Sequence, residues 1–481
     1  MMTAKSNGDV FGRVVKSVVT LVMALGFAVS GPTHLSAQED FVRPHYASPG
    51  TGPDANLEYW TEYLVPQDQV IAIRAGRLFE ANAGTMLNDQ VILIEGERIA
   101  QIGPDVDIPS NAQVIDLSNA TVLPGMIDTH THVTPRGNDQ TTANDRAYQA
   151  VANAHKNLMA GFTTIFNVDS RGGYGTVVLR DAINSGILLG PRMQVTGQSI
   201  NQRASGPYTA ELPGLQQDRT EYKDINSPWL ARAAVREAKL HGVDGVKIYT
   251  TQDFVGQTDH WTADGEMLYT PSLTYEEVEA IVDEAHRMGL KVVCHTYGGE
   301  GLHSCLRAGV DFPTHAEDLD DEAFRLFLDT GLPLVPTIDD LVYLEPSDLE
   351  ASGGRNSRLR LQEQVIRRLH AEGVEFPFGS GAVGSRIPHG RQAGQFRYLV
   401  DWGLTEAEAL QTAMTVAAKH LNHNWGEVIG ALDPGKFADI IAVSGNPLSD
   451  ITEMEQVRFV MKGGMVVRDD LTPQRANYDQ D

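Results

Sequence analysis

Basic residues are scarce in this chain: 38 Lys+Arg stand against 63 Asp+Glu over 481 residues, a formal net charge of -25. A nucleic-acid partner needs a basic face to meet its phosphates, so that class of function is excluded and solubility is favoured. Cysteine is scarcer still, with only Cys294 and Cys305. Cys294 lies in the apolar run "KVVCHTY" and Cys305 in a helix-like run after it, so both read as buried free thiols rather than a bridge. Internal repeats and low-complexity tracts are missing, and 42% hydrophobic residues suits a globular chain of one large domain with an accessory. Long apolar runs are missing too. "VVTLVMALGFAVS" (Val18–Ser30) falls short of the ~20 residues that span a bilayer. Arg13 and Lys16 precede it, and Gly31, Pro32 and the small residues ending at Ala37 follow it. That pattern predicts a signal peptide over 1–37, export to the periplasm or beyond, and no stable membrane insertion after cleavage.

What is present sorts into blocks. Residues 38–67 are rich in Pro and Gly without periodicity and read as an N-terminal extension. Strand-like runs such as "VIAIRAGRLF" and "QVILIEGERIAQIG" fill 68–120, and a matching set fills 427–468. Each set is too small to bury a core alone, so the two ends are expected to build one small β-sandwich domain around an inserted middle. The tail, 469–481, is polar. The middle, 121–426, alternates short β-rich runs with amphipathic stretches such as "TYEEVEAIVDEAHRMG" and "DDEAFRLFLDTG". Eight such repeats predict an α/β fold, a (β/α)8 barrel, whose chemistry gathers at the C-terminal ends of its strands.

The polar residues of these runs fall at those ends. "DTHTH" sets His130 and His132 two apart, on one side of a strand, where both imidazoles can reach one ion of zinc or a similar metal. His295 in "VVCHT" and His315 in "FPTHAED" end two further strands. A single such histidine is as well explained by core hydrogen bonding; four converging on one mouth favour a metal. Lys247, in "GVDGVKIY", is a lysine on an apolar strand, costly to bury unless paired. Beside metals its neutral amine can take up carbon dioxide and become a bridging carbamate.

These segments, with "VLPGMIDTHTH", "GFTTIFNV", "GPRMQVTGQ" and "GALDPGKFADIIAVSGNPL", resemble the amidohydrolase superfamily, in particular its prolidase-like, imidazolonepropionase-related branch, over about residues 68–468. The resemblance implies two divalent metal ions, taken as zinc. It places His130 and His132 on one ion, His295 and His315 on the other, and a carboxylated Lys247 between them. It also implies a strand-8 Gly-Thr-Asp-Ala-like motif whose aspartate carries the proton. Here that stretch reads Gly379-Ser380-Gly381-Ala382, and residues 370–400 contain no aspartate. Glu375 lies six residues upstream, ~20 Å along a strand, and cannot substitute.

Asp339, ending "LPLVPTID", is the candidate stand-in, against the simpler reading that it caps a helix. His389 could face the mouth after strand 8. Tyr249, two residues after Lys247, could bond a substrate oxygen, and Arg171 and Arg203 could hold a substrate carboxylate. The expected function is hydrolysis of amide bonds in peptide-like or N-acyl amino acid substrates. The alternatives are a metal-binding pseudoenzyme or substrate-trapping variant, or ester, lactone or phosphotriester hydrolysis on the same site. The expected partner is a small-molecule substrate, with a homo-oligomer left open.

Overall fold

The computed structural model describes residues 63–135, 142–171, 173–202, 222–252, 261–384 and 387–472, without the side chains of 202, 222–224, 252, 339, 340, 343 and 344. The signal-peptide segment, Arg203 and most of the polar tail therefore lie outside the described residues. Strands β1 (Val70–Glu80), β2 (Thr85–Glu95), β3 (Arg98–Gly103) and β4 (Gln113–Pro124) come first. The middle supplies β5 (Met126–Thr131), β6 (Phe162–Asn167), β7 (Arg192–Val195), β8 (Ser199–Gln202), β9 (Tyr222–Ile225) and β10 (Gly245–Tyr249). A short hairpin, β11 (Thr251–Gln252) with β12 (Thr270–Pro271), precedes β13 (Lys291–Thr296) and β14 (Phe312–His315). Last come β15 (Ile440–Val443), β16 (Phe459–Lys462) and β17 (Met465–Asp469).

The first four strands and the last three form one sheet, ordered β17-β16-β15-β4-β1-β2-β3. Its seam is β15 against β4, antiparallel, with Ile441 opposite Leu123. The two ends of the described chain thus share one layer, consistent with the small β domain expected from the sequence. Alternation supplies its own core, among others Ile73, Leu78, Ile92, Ile94, Val122, Ile440 and Phe459.

The middle strands pair in parallel as β5-β6-β7 and β14-β13-β10-β8-β9, with helices between them. The helix Tyr275–Arg287 starts on a capping box of Thr274 and Glu277, and Asp321–Thr330 runs from its N-cap Asp320 to Gly331 in the left-handed region, φ 64. Three expected strands differ. "VEFPFGSGA" (374–382), the expected eighth barrel strand (strand 8, or the strand-8 segment), is not a regular strand. "RMQVTGQSI" is broken into β7 and β8 at Gly197, φ 67, where a Cβ would lie 2.5 Å from the Tyr174 ring. In "LPLVPTID" only Val335 pairs, with Thr314; Pro336 has no N–H to extend the ladder and Thr337 turns left-handed at φ 52. A helix, Ile338–Ala351, then begins, so Asp339 stands in a helical first turn rather than on a strand.

Cys294 and Cys305 are joined in a disulfide, correcting the expectation of free thiols. Cys294 on β13 and Cys305 on the helix Gly299–Ala308 meet where the helix packs on the strand, with the Thr250 hydroxyl 3.3 Å and 3.1 Å from the two sulfurs. Among the described residues no helix is long and apolar enough to cross a membrane.

Candidate functional site

β5 is buried along its whole length, and residues 128, 130 and 132 alternate onto one face. The His130 and His132 rings lie 5.2 Å apart, those of His130 and His315 5.5 Å, and those of His295 and His315 4.4 Å. The ends of β5, β13 and β14 therefore bring all four expected histidines into one cluster. Backbone and hydroxyl groups orient two of the rings. His132 Nδ1 is 2.6 Å from the Val168 carbonyl, which accepts from an N–H there and leaves Nε2 for another partner. His315 Nδ1 is 2.7 Å from the Thr337 hydroxyl. His315 and Ala316 both adopt positive φ, 74 and 48, a strained turn at a strand end of the kind found at functional sites.

Lys247 on β10 is fully buried, and its Nζ has no hydrogen-bond partner. Burial, which disfavours an ammonium, pushes its pKa down to about 7, so much of the amine is neutral near neutral pH. The same loss of solvation, reinforced by the charge on Lys247, holds His130 and His315 well below the ordinary imidazole value. His130 Nδ1 also has no partner. Among the described residues no group of three or more His, Cys, Asp or Glu is spaced as a metal-holding set. The donors nevertheless suit an ion. Two imidazoles on one tetrahedral zinc, with Zn–N of about 2.0–2.1 Å, have ring centres roughly 5 Å apart. Neutral imidazoles and an orphaned neutral amine are the forms such a site uses.

The strand-8 segment lies against β5: Thr129 N donates to the Phe378 carbonyl at 2.8 Å, Gly381 N to that of His130 at 2.7 Å, and His132 N to that of Ala382 at 2.7 Å. Gly379 permits this approach, since a Cβ there would lie 2.8 Å from His130 Cβ. Gly381, at φ 74, puts no side chain beside the cluster. Asp128 accepts from the Ser380 hydroxyl at 2.6 Å, from Ser380 N at 3.1 Å and from His130 N at 3.0 Å, tying strand 8 to the HxH strand. Burial raises its pKa to about 7, against the pull of those donors.

His389 does not face the cluster. It is buried behind β5, with Nε2 3.2 Å from the His132 carbonyl and Nδ1 3.2 Å from Asn157 Oδ1, and desolvation lowers its pKa to about 4. Tyr249 is at the site: its ring is 4.5 Å from that of His295, and Lys247 Nζ lies 5.2 Å from its centre. Arg171 is buried, with Nη2 3.3 Å from Asp169 Oδ2. Asp169 escaped the sequence reading. It is fully buried, accepts a hydrogen bond from the Tyr249 hydroxyl at 2.9 Å and sits at φ 59. Its signal was its place one residue past the β6 run "FTTIFNV", the strand-end position that singled out the histidines. Asp128 was visible inside "MIDTHTH" by the same two-residue spacing.

The amidohydrolase family profile matches residues 121–467. A curated ochratoxinase of Aspergillus niger is 26% identical over 438 residues, covering 83% of this chain and 87% of its own. A Xaa-Pro dipeptidase solved with bound methionine in the active site shares 29% identity at a TM-score of 0.72, over 83% of this chain and 100% of that one. A prolidase complexed with n-methylphosphonate-l-proline shares 26% identity at a TM-score of 0.73, over the same shares.

Proposed function

The chain belongs to the amidohydrolase family, a family of typically metal-dependent hydrolases, and from that premise we propose that it is an exported binuclear hydrolase of amide bonds. Peptide-like or N-acyl amino acid substrates are its class, a choice supported by the dipeptidase and the prolidase it resembles. The observation that carries the reading is the convergence of His130, His132, His295 and His315 beside the orphaned amine of Lys247.

His130 and His132 would hold one ion and His295 and His315 the other, with Lys247, carboxylated, between them; imidazole ligands favour zinc. Such ions polarise a carbonyl and acidify water. The chain's own groups do the rest. The Val168 carbonyl fixes the tautomer of His132, Thr337 holds His315, and the buried strand ends keep bulk water from the reacting atoms.

A closed eight-stranded barrel is part of the same proposal. It is supported by an unbroken circuit of backbone bonds: β5 to β6 to β7, Asp244 N to the Val195 carbonyl, β10 to β13 to β14, His315 N to the Val335 carbonyl, Leu334 N to the Glu375 carbonyl, and 378–382 back to β5. Export rests on the N-terminal sequence pattern.

The vacancy at Gly381 favours a second reading, a metal-binding protein that captures its ligand without turnover. The experiment pairs elemental analysis with a panel of dipeptides, N-acyl amino acids, esters, lactones and phosphotriesters, on this chain beside Gly381→Asp. Bound metal with amide turnover supports the proposal, and turnover of another class alone moves the substrate. Metal without turnover in the natural chain selects the binder. Protein that neither holds nor regains metal refutes the site.

A further inference from the structure

Strand 8 offers no carboxylate, so the reaction needs one from elsewhere, and the carboxylates near the cluster can be sorted by their partners. Asp128 is committed to Ser380 and His130 N. Glu317 is bound at 2.9 Å by the Arg358 guanidinium, itself stacked on Tyr297. Glu375 is held by Lys419 and His420, on the far side of the strand-8 segment in sequence. Asp339 begins a helix.

Asp169 remains. Its chain neighbour Val168 touches the His132 ring through its carbonyl, and its own Oδ2 reaches the Tyr249 hydroxyl at the end of β10. The carboxylate is thereby strung between the end of the strand that follows His132 and the end of the strand that bears Lys247. Tyr249 and Arg171 both engage Oδ2; Oδ1 is buried and has no hydrogen-bond partner. A buried carboxylate oxygen without a donor is unfavourable, and Asp169 holds it in a left-handed turn, φ 59, that aspartate accepts readily. That cost falls on a residue just past β6 whose other oxygen bonds the end of β10, the strand that bears Lys247.

We propose that Asp169 supplies the carboxylate that strand 8 lacks. As the water oxygen bonds to the amide carbon, its O–H bond breaks and Asp169 Oδ1 takes the proton. As the C–N bond breaks, Asp169 returns that proton to the leaving nitrogen, giving an acid and an amine with Asp169 restored. Tyr249 and Arg171 position the group by fixing Oδ2 and leaving Oδ1 as the basic oxygen. Because the Tyr249 hydroxyl donates to Asp169, it meets substrate as an acceptor, a role suited to an N–H of a peptide-like ligand.

The inference rests on the hydrolase reading, and three variants keep the two separable: Asp169→Asn, Gly381→Asp and their combination, each assayed for kcat, KM, metal equivalents and melting temperature. Asp169→Asn should keep its metal and its melting temperature, lose kcat by about 10²–10⁴-fold with little change in KM, and regain turnover when Gly381→Asp is added. Wild-type kcat in Asp169→Asn, a loss that Gly381→Asp does not repair, or a loss of metal would each overturn the proposal. If Asp169→Asn does not fold, Asp169→Glu decides: a folded variant with kcat lowered at least tenfold supports the role, and wild-type kcat refutes it. Failure of the hydrolase reading looks different, because there the natural chain is itself inert, whether or not it holds metal.

Discussion

Lys247 is an amine buried among apolar strands with nothing to bond to, a state that a protein sustains only for a purpose. Lys247→Ala should lose bound metal and turnover together, and small carboxylates added to the variant should recover part of both; elemental analysis with and without them is the check. At position 381 the left-handed φ of 74 belongs to glycine first, with aspartate and asparagine the side chains next most at home there, so Gly381→Asp is a conformationally fair replacement. His389 makes a different prediction. Its pKa is about 4 in the folded chain against an ordinary 6.5, so the unfolded chain binds its proton first as pH falls. Its neutral form therefore contributes stability that is complete above pH 6.5 and is lost on descent to about pH 4, a difference of about 3 kcal/mol. Urea titrations of metal-stripped protein over that window should show a shallower decline in His389→Gln than in the natural chain; parallel declines would remove His389 as the cause. At this scale the sequence is legible where a side chain follows the strand's two-residue period, as His130 and His132 do. Asp169 lies just past that period, in a left-handed turn that no apolar pattern marks.

Single elements carry the geometry between these residues. The strand-8 segment reaches β5 only because Gly379 lacks a side chain: a Cβ would stand 2.3 Å from Val335 Cγ1 and 2.8 Å from His130 Cβ. Gly379→Ala should cost about 1–3 kcal/mol in denaturant unfolding and weaken metal retention, since His130 must shift to make room. The Cys294–Cys305 bridge ties β13, bearing His295, to the helix that leads into β14, bearing His315. Replacing both cysteines with alanine should lower stability by about 3 kcal/mol, the chain-entropy figure for a loop of this length, measured beside the natural chain in oxidising buffer. The bridge was hard to read because sequence shows two apolar contexts but not the packing of helix on strand. "LPLVPTID" misled for a related reason: its apolar run fits a strand or a buried helix start, and Pro336 with Thr337 decides for a short pairing followed by a helix. The capping box at Thr274 and the glycine at 331 were legible because caps use specific side chains.

At the scale of the whole molecule, the sheet assembled from both ends is the feature with the widest reach. Removing everything after residue 426 would delete three of its seven strands and bare the edge of β4, so the truncated chain should be insoluble or lack cooperative unfolding by circular dichroism. A folded, cooperative fragment would show that the central region stands without that seam. The pairing of the two ends was legible in sequence because neither set of strands could bury a core alone. The same seam also sets a schedule for synthesis. Pro124 pairs with Ile440, roughly 300 residues later, which at about 5–20 residues per second leaves the edge of β4 bare for roughly 15–60 s on the ribosome. Throughout that interval the nascent chain exposes a strand edge that any other extended peptide could occupy. A holding chaperone that covers this edge during that interval should therefore raise the yield of folded chain.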